Sequence, residues 1–228
     1  MRRMILGGQL PPGSKIDQAN LAEQLGISLV PLREALRKLE AEGLVRIVPH
    51  RGAFVTPISR EELADLYSIR EILEGLATGA ACRRLADEEL RKLRCLISEM
   101  EPETSNEDHT ALLNLNRQFH LTIYNGSGRS LLCGLIASLW DKSERYRSLY
   151  VNVLGRSGQA HAEHKQILQA LEERCAKEAV RAVRDNIRQT KIVLLASFDQ
   201  GQGMQALTSP VMSDTERTDL LSALAVRG

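Results

Sequence analysis

The chain has 228 residues, 43% hydrophobic and 26% charged, which is typical of globular proteins and enough for one large domain or two smaller ones. It contains no apolar run near the roughly 20 residues that span a membrane. Its opening, MRRMILGGQ, has too short an apolar segment for a secretory signal, so we predict a cytoplasmic protein. The net charge is +1, yet residues 1–60 carry +4 and the remainder −3. This asymmetry suggests two parts with different partners.

The four cysteines lie far apart and form no CxxC pair. Each stands in an apolar or helical context, which predicts buried free thiols rather than a cysteine zinc site. They are Cys82, Cys95, Cys133 and Cys175.

The first part of the chain reads as two short helices followed by a hairpin. Asn20 can cap a helix, LAEQL, that stops at Gly26. Ser28 can cap the next helix, and Gly43 provides a left-handed stop after it. Two helices over residues 20–42, joined by the tight link GIS, have the spacing of a helix-turn-helix. LVRIV and AFVTP then flank the turn PHRG, which predicts a β-hairpin.

The rest of the chain is predicted to be helical. Ser59 followed by Glu62 forms a capping-box pattern, so a new helix begins there. The helical period continues to about residue 200, with almost no strand signal. We predict helices near 59–84, 87–100, 108–125, 129–152, 159–173 and 176–199. Residues 199–214 lose the pattern and are predicted to be a flexible extension, with a short helix from about 214 to 226.

The second short helix has an apolar face and a basic face. Leu32, Leu36 and Leu39 repeat at helical spacing, whereas Arg33 and Arg37 lie one turn apart on another side. In a helix-turn-helix the N-terminal residues of the second helix enter the major groove, where arginine suits guanine and phosphate.

The tip of the hairpin would reach an adjacent groove or the DNA backbone as a wing. The predicted DNA contacts are Ser28, Arg33, Arg37, Lys38, His50, Arg51 and Gly52. The alternative is a solvated face, in which the basic side chains of the helix pair with Glu34, Glu40 and Glu42.

The segment from GGQLPPGSK to HRGAFV closely resembles the winged-helix DNA-binding domain of the GntR family of bacterial transcription regulators. PPG, LAEQLGIS, PLREAL, LEAEGLV and HRGAFV stand in the expected order over roughly residues 4–57. The helical body, beginning ELADLYSIREILEGLATGAA, resembles the all-helical FCD effector domain of the FadR branch. The resemblance implies a mainly α protein, with a winged-helix domain at 1–57, an effector-binding and dimerisation domain at 58–199, and an extension at 200–228.

The chain departs from the family pattern in two places. Leu29 stands where the family usually has Arg, and Val30 where it often has Thr. These departures remove a phosphate or base donor and leave more of the recognition to Arg33, Arg37 and the wing. The family's first helix also normally begins several residues earlier, so we expect either that this helix is shortened or that the true start of the protein lies upstream.

Spacing alone favours hydrogen-bonded histidines over metal ligands in the body. The resemblance, however, implies a divalent metal site, zinc or nickel, formed by Asn116, His120, His164 and the residue at 186. Asn186 stands where the family has His, which makes a poor set of donors for these metals. His161 could compensate, although it should face partly elsewhere. A metal-free cavity with the same residues as hydrogen-bonding partners is the alternative.

The resemblance also implies that arginines of the body hold the carboxylate of an effector, a task that suits a planar guanidinium. Arg70 and Arg147 are the predicted contacts, with Tyr146 and Tyr150 as secondary candidates. Arg70 could instead form a simple helix pair with Glu74. Because the aromatic content is only 4%, we expect a small organic acid rather than a ring-rich ligand.

Together these observations predict a ligand-responsive DNA-binding transcription regulator, a repressor released from its operator by a small organic acid. We expect a homodimer, since paired reader helices reach half-sites one DNA turn apart, and no membrane partner. A metal-dependent helical hydrolase is one alternative, but no HExxH, GxSxG or Cys–His arrangement is present. The other alternative is an adaptor whose DNA binding is weakened by Leu29.

Overall fold

The computed structural model of the chain describes residues 1–103, 110–154 and 157–199. Its N-terminal elements are α1 (Arg2–Leu6), β1 (Lys15–Ile16), α2 (Gln18–Leu25), α3 (Leu29–Ala41), β2 (Val45–Val48) and β3 (Gly52–Val55). The strands form one antiparallel sheet in the order β1-β3-β2, with Val45 opposite Val55 and Lys15 opposite Phe54. The predicted winged helix-turn-helix is confirmed, with β1 as an additional strand.

The link between α2 and α3 is tight because Gly26 ends α2 in the left-handed conformation, at φ 64°. The predicted cap at Asn20 is wrong. Asp17 caps α2 instead, because its Oδ1 accepts hydrogen bonds from the backbone N–H groups of Ala19 and Asn20, both at 3.1 Å. Ser28 occupies the N-cap position of α3, as predicted, but its side chain makes no capping hydrogen bond.

A small hydrophobic core holds the N-terminal elements together. Its members are Ile5, Ile16, Leu21, Ala22, Leu32, Leu36, Leu39, Leu44, Val45, Ala53 and Val55. After α3, Gly43 adopts the predicted left-handed conformation, at φ 76°. The Glu40 Oε1 atom accepts a hydrogen bond from the Ile47 N–H at 2.7 Å. This bond ties the C-terminal end of α3 to β2 and so fixes the hairpin against the helix.

The body contains α4 (Arg60–Ala81), α5 (Asp87–Glu103), α6 (Thr110–Asn125), α7 (Ser130–Leu154), α8 (Ser157–Glu172) and α9 (Ala176–Asp199). Every predicted helix of the body corresponds to one of these and ends within three residues of it. Ser59 caps α4 as predicted, accepting a hydrogen bond from the Glu62 N–H at 3.2 Å. The all-helical bundle is therefore confirmed.

The body has a second hydrophobic core, in which the largest buried side chains include Trp140, Tyr67 and Phe119. All four cysteines are free. The prediction of buried thiols is confirmed for Cys82 and wrong for Cys95, which is exposed, while Cys133 and Cys175 are half-buried. Leu93 and Leu96, close to Cys95 in sequence, point into the core, which leaves Cys95 on the outer side of α5. Each helix in the described part of the chain is too short or too polar to span a lipid bilayer. The predicted extension and its short helix lie outside the described residues.

Candidate nucleic-acid interface and polar cavity

The side of α3 that faces away from the core is basic. Arg33, Arg37 and Lys38 are exposed, and within the described part of the chain none of them forms an ion pair. Two carboxylates that could neutralise them are engaged elsewhere: Glu40 binds β2 at 2.7 Å, and Glu42 pairs with an arginine of α1 at 3.2 Å. The alternative of a salt-bridged, solvated face therefore does not describe α3, whose cations are available to a polyanion.

The turn between β2 and β3 adds further positive charge. His50 and Arg51 are exposed at its tip, and the left-handed backbone at Gly52, φ 103°, suits glycine. Lys15 of β1 lies beside this turn, since a Cβ atom built on Gly52 would be 3.4 Å from the Lys15 Cε atom. The sequence analysis missed Lys15 because a strand of two residues leaves no alternation pattern.

The helical body encloses a cavity of about 60 Å³. All four residues predicted as metal ligands, Asn116, His120, His164 and Asn186, line it together with Arg70. The remaining lining is largely apolar or aromatic and comes from Tyr67, Met100, Leu112, Leu113, Trp140, Ala160 and Ile187, with His161 and Thr190 as further polar residues. Residues far apart in sequence thus meet at one polar site.

Two histidines face each other in this cavity. The Nε2 atoms of His120 and His164 are 3.2 Å apart, and both side chains are buried. His120 Nδ1 lies 3.0 Å from the Tyr124 hydroxyl, which donates its own hydrogen to Glu74. The hydroxyl must therefore accept from Nδ1–H, which leaves the lone pair of His120 Nε2 directed at His164.

Burial, reinforced by the nearby His161, lowers the pKa of His164 to about 3, so its imidazole is neutral at physiological pH. Burial, with the charge of Glu74, raises the pKa of Tyr124 well above its usual value, which keeps its hydroxyl protonated. Both groups therefore hold the protonation states that the hydrogen-bonded chain requires. A neutral imidazole is also the form that binds a metal.

The donors around the facing histidines fit a divalent metal in part. Two ligands on bonds of about 2.0–2.1 Å would lie about 2.9–3.4 Å apart, and the two Nε2 atoms are separated by 3.2 Å. Asn186 donates its Nδ2 hydrogen to Glu163 Oε2 at 2.6 Å, which leaves its amide oxygen as the donor for an ion. Among the described residues, no three His, Cys, Asp or Glu side chains converge as a metal cluster.

Arg70 and Glu74 form the buried ionic centre of the body. The Arg70 Nε atom lies 2.6 Å from Glu74 Oε1, and its Nη1 donates to Ser143 Oγ at 3.2 Å. Trp140 also donates to Glu74 Oε1, at 3.0 Å. Burial opposes the charge on Arg70, but the adjacent Glu74 outweighs it and raises the pKa of the guanidinium. The helix pair considered in the sequence analysis exists, yet it is buried and also borders the cavity.

Of the other effector residues predicted from the sequence, Tyr146 is the one whose side chain the structure describes. Tyr146 is buried, but its hydroxyl contacts the segment before α4: it donates to the Ser59 carbonyl at 3.3 Å and accepts from the Ser59 N–H at 3.4 Å. The Tyr146 hydroxyl is therefore directed to the segment before α4 and not to this cavity. Arg147 and Tyr150 lie on α7, but their side chains are outside the described part of the structure.

Sequence analysis also missed Glu74, Tyr124 and Trp140 as parts of the site. The i, i+4 spacing of His120 and Tyr124 on one helix was an available signal. The contacts of Tyr124 and Trp140 with Glu74 cross from one helix to another, and helical periodicity carries no information about them.

Known proteins and domain families match almost the whole described chain. Residues 1–55 match the family described as "Bacterial regulatory proteins, gntR family", and residues 65–189 match the FCD domain. The HTH-type transcriptional regulator McbR of Escherichia coli K12 is 31% identical over 82% of this chain and 86% of its own length. The HTH-type transcriptional repressor GlaR of the same organism is 30% identical over 66% of this chain and 70% of its own length.

Two solved structures align with this chain over most of its length. The structure of E. coli McbR/YncC aligns with a TM-score of 0.73 and 26% identity, covering 86% of this chain and 94% of that one. A GntR family transcriptional regulator from Pseudomonas syringae aligns with a TM-score of 0.55 and 28% identity, covering 87% of this chain and 84% of that one.

Proposed function

Because this chain belongs to the gntR family of bacterial regulatory proteins and carries an FCD domain, we propose that it is a repressor released from its operator by a small organic acid. It is a DNA-binding transcription regulator rather than an enzyme, as its family and relatives are. A relative named as a transcriptional repressor supports the direction of regulation. Because operator DNA lies in the bacterial cytoplasm, we infer that the protein acts there.

The observation that carries DNA binding is the unneutralised basic face of α3 next to a basic wing. Residues 1–57 form the DNA-binding domain in this proposal, and residues 58–199 form the effector domain. The reader helix enters the major groove by its N-terminal end, while the wing and Lys15 contact the backbone or an adjacent groove. The proposed contacts are Ser28, Arg33, Arg37, Lys38, His50, Arg51 and Gly52, together with Lys15.

The cavity in the body is the effector site in this proposal. Its volume of about 60 Å³ is several times the roughly 10–15 Å³ that one water needs, which suits an acid of a few heavy atoms. Arg70 keeps its charge and borders the cavity, so it draws a carboxylate toward the three histidines. Arg147 remains a proposed effector contact, with Tyr146 and Tyr150 as secondary ones.

A divalent ion, zinc or nickel, would be held by His120 and His164, with the amide oxygens of Asn116 and Asn186 as further donors. Such an ion supplies positive charge and open coordination positions for a carboxylate. Glu74 and Tyr124 hold the ring of His120 in the orientation that the ion needs. The same 3.2 Å separation also allows a direct hydrogen bond between the two imidazoles, so the alternative is a metal-free site in which these residues bind the acid by hydrogen bonds.

Elemental analysis of the purified protein separates these two forms of the site. Near-stoichiometric zinc or nickel that disappears in a His120→Ala variant supports the metal site. Absence of metal in the wild type, even after incubation with zinc, supports hydrogen bonding of the acid by the same residues. His50→Ala is the matched control, because that histidine lies on the wing and its loss should leave the metal content unchanged.

Helix α7 provides a route from the cavity to the DNA-binding domain. Trp140 lines the cavity, and Ser143 accepts a hydrogen bond from Arg70 at 3.2 Å. One residue later, Glu144 pairs with Arg2 of α1 at 2.8 Å, and Tyr146 binds the segment before α4. An acid that shifts α7 would therefore change the contacts that orient the winged helix. It acts only through its different affinity for the two arrangements.

One face of α4 suits a second copy of the chain. Ile69, Ile72 and Leu76 are 46%, 62% and 47% exposed and lie on one stripe at helical spacing. Asp65 is exposed near the N-terminal end of this stripe, and Arg83, in the turn after α4, is exposed beyond its C-terminal end. Counted along the sequence, the position midway between Asp65 and Arg83 is also midway between Ile72 and Leu76. If two copies of α4 pack antiparallel about this position, Asp65 of each copy faces Arg83 of the other, and Ile72 faces Leu76. We place the homodimer contact on this stripe.

A reporter joined to the DNA upstream of the gene tests repression directly. Expression should rise when the gene is deleted and fall again when it is restored, and Arg33→Ala should fail to restore repression. Expression that falls on deletion would instead show an activator. If deletion changes nothing, and the protein binds no duplex at low salt, the adaptor alternative holds instead.

A further inference from the structure

The N-terminal end of the reader helix is apolar and exposed. Val30 is 67% exposed and Leu29 41%, and the preceding Leu25 and Ile27 are 40% and 41% exposed. Large aliphatic side chains gathered on a surface usually mark a contact with another molecule. The same end of α3 is where a helix-turn-helix meets base edges.

Helical geometry places Val30 on the side of α3 that faces away from the core. Leu32, Leu36 and Leu39 define the buried face. At about 100° per residue, Val30 is roughly opposite to them and about 20° from Arg37, seven residues later. Val30 and Arg37 therefore point to the same surroundings, and Arg37 is one of the cations of this helix that form no ion pair with the described residues.

The side chains of Val30 and Leu29 can form no hydrogen bond with a base. The major groove offers them one apolar group, the C5 methyl of thymine. We infer that Val30, with Leu29 beside it, reads thymine methyl groups, so that each operator half-site has thymine where the N-terminal end of α3 enters. This inference rests on the proposed DNA-binding function and names the sequence class that it recognises.

The charges around this apolar end favour DNA over a protein as the partner. Arg33, Arg37 and Lys38 lie on the same helix, are exposed, and form no ion pair among the described residues. A surface with apolar groups at one end and unpaired cations along the rest matches a groove in which methyl groups are flanked by phosphates. Aliphatic side chains at positions 29 and 30 therefore suit a base that carries a methyl group.

Deoxyuridine substitution isolates the methyl group, because uracil lacks the C5 methyl but keeps the hydrogen-bonding groups of thymine. The full-length protein would first enrich its preferred duplex from a random pool. Each thymine of that duplex would then be replaced by deoxyuridine in turn. We expect one or two positions per half-site at which affinity falls about fourfold, which corresponds to about 0.8 kcal/mol for one buried methyl group.

A double-mutant cycle connects that methyl group to Val30. Val30→Ala should bind the thymine duplex several-fold more weakly and lose its sensitivity to deoxyuridine at the contacted position. Arg33→Ala should bind both duplexes more weakly and keep their ratio. Ile192→Ala, which removes an aliphatic side chain that is 57% exposed on α9, should change neither value. Because Val30 lies outside the core, its substitution should leave the fold intact.

Each other outcome has a definite meaning. If deoxyuridine leaves affinity unchanged at every position, or if Val30→Ala and Leu29→Ala both keep the full deoxyuridine effect, the thymine inference is wrong and DNA binding stands. If the protein enriches no sequence from the pool, the proposed function and this inference both fail.

Discussion

Arg33 and Arg37 differ from several other surface arginines because they form no ion pair with any of the described residues. Arg94 pairs with Glu172 at 2.5 Å, and Arg188 pairs with Glu71 at 2.7 Å. Surface pairs of this kind add little stability, but they cancel local charge. The absence of such pairs on α3 preserves a positive surface that a DNA phosphate or guanine can use.

Arg33→Ala should weaken binding to the operator by about 1–3 kcal/mol if the guanidinium contacts a base. Arg91→Ala is the matched control, since Arg91 is also exposed but lies on α5. This variant should bind the operator with the affinity of the wild type. Fluorescence anisotropy with a labelled duplex measures both values. Equal losses of affinity in the two variants would mean that binding depends on the overall charge of the protein and not on a base contact by Arg33.

Glu74→Gln should destabilise the fold by about 3 kcal/mol or more, because it leaves Arg70 buried without a counter-charge. Glu71→Gln is the control, since its partner Arg188 is half exposed and such a pair contributes below about 1 kcal/mol. Urea denaturation of both variants gives the two free energies of unfolding. If both variants lose a similar, small free energy of unfolding, Glu74 does not stabilise the fold through Arg70.

At the scale of elements, sequence patterns predicted what is local and missed what is not. Helical periodicity and the cap at Ser59 predicted the bounds of the body helices to within three residues, because both signals depend on neighbours within one helical turn. The sequence did not predict the strand β1, because it has only two residues. The cluster around Glu74 joins three helices, and the position of Tyr146 depends on how α7 packs. Neither leaves a periodic signal.

The strand β1 brings Lys15 to the wing, so Lys15→Ala should remove about one phosphate contact. The slope of log affinity against log salt concentration should then fall by about one, with little change in sequence preference. Lys92→Ala, an exposed position on α5, should leave the slope unaltered. A slope unchanged in Lys15→Ala would place β1 away from the DNA.

At the scale of the whole molecule, the α4 stripe predicts how two copies meet. Asp65→Arg should place two arginines opposite each other and weaken the dimer, and Arg83→Asp should do the same with two acids. The double variant restores opposite charges and should dimerise like the wild type. Sedimentation equilibrium measures all four proteins. If the double variant is no better than the single ones, the copies do not meet along α4.

The central claim is that this chain recognises a specific DNA sequence. The most direct measurement is its equilibrium affinity for the duplex it enriches, against a scrambled duplex of equal composition, over a series of salt concentrations. We expect at least about 10³-fold tighter binding to the enriched duplex, with affinity for both falling steeply as salt rises. Equal affinity for the two duplexes, or no binding at low salt, would contradict the account.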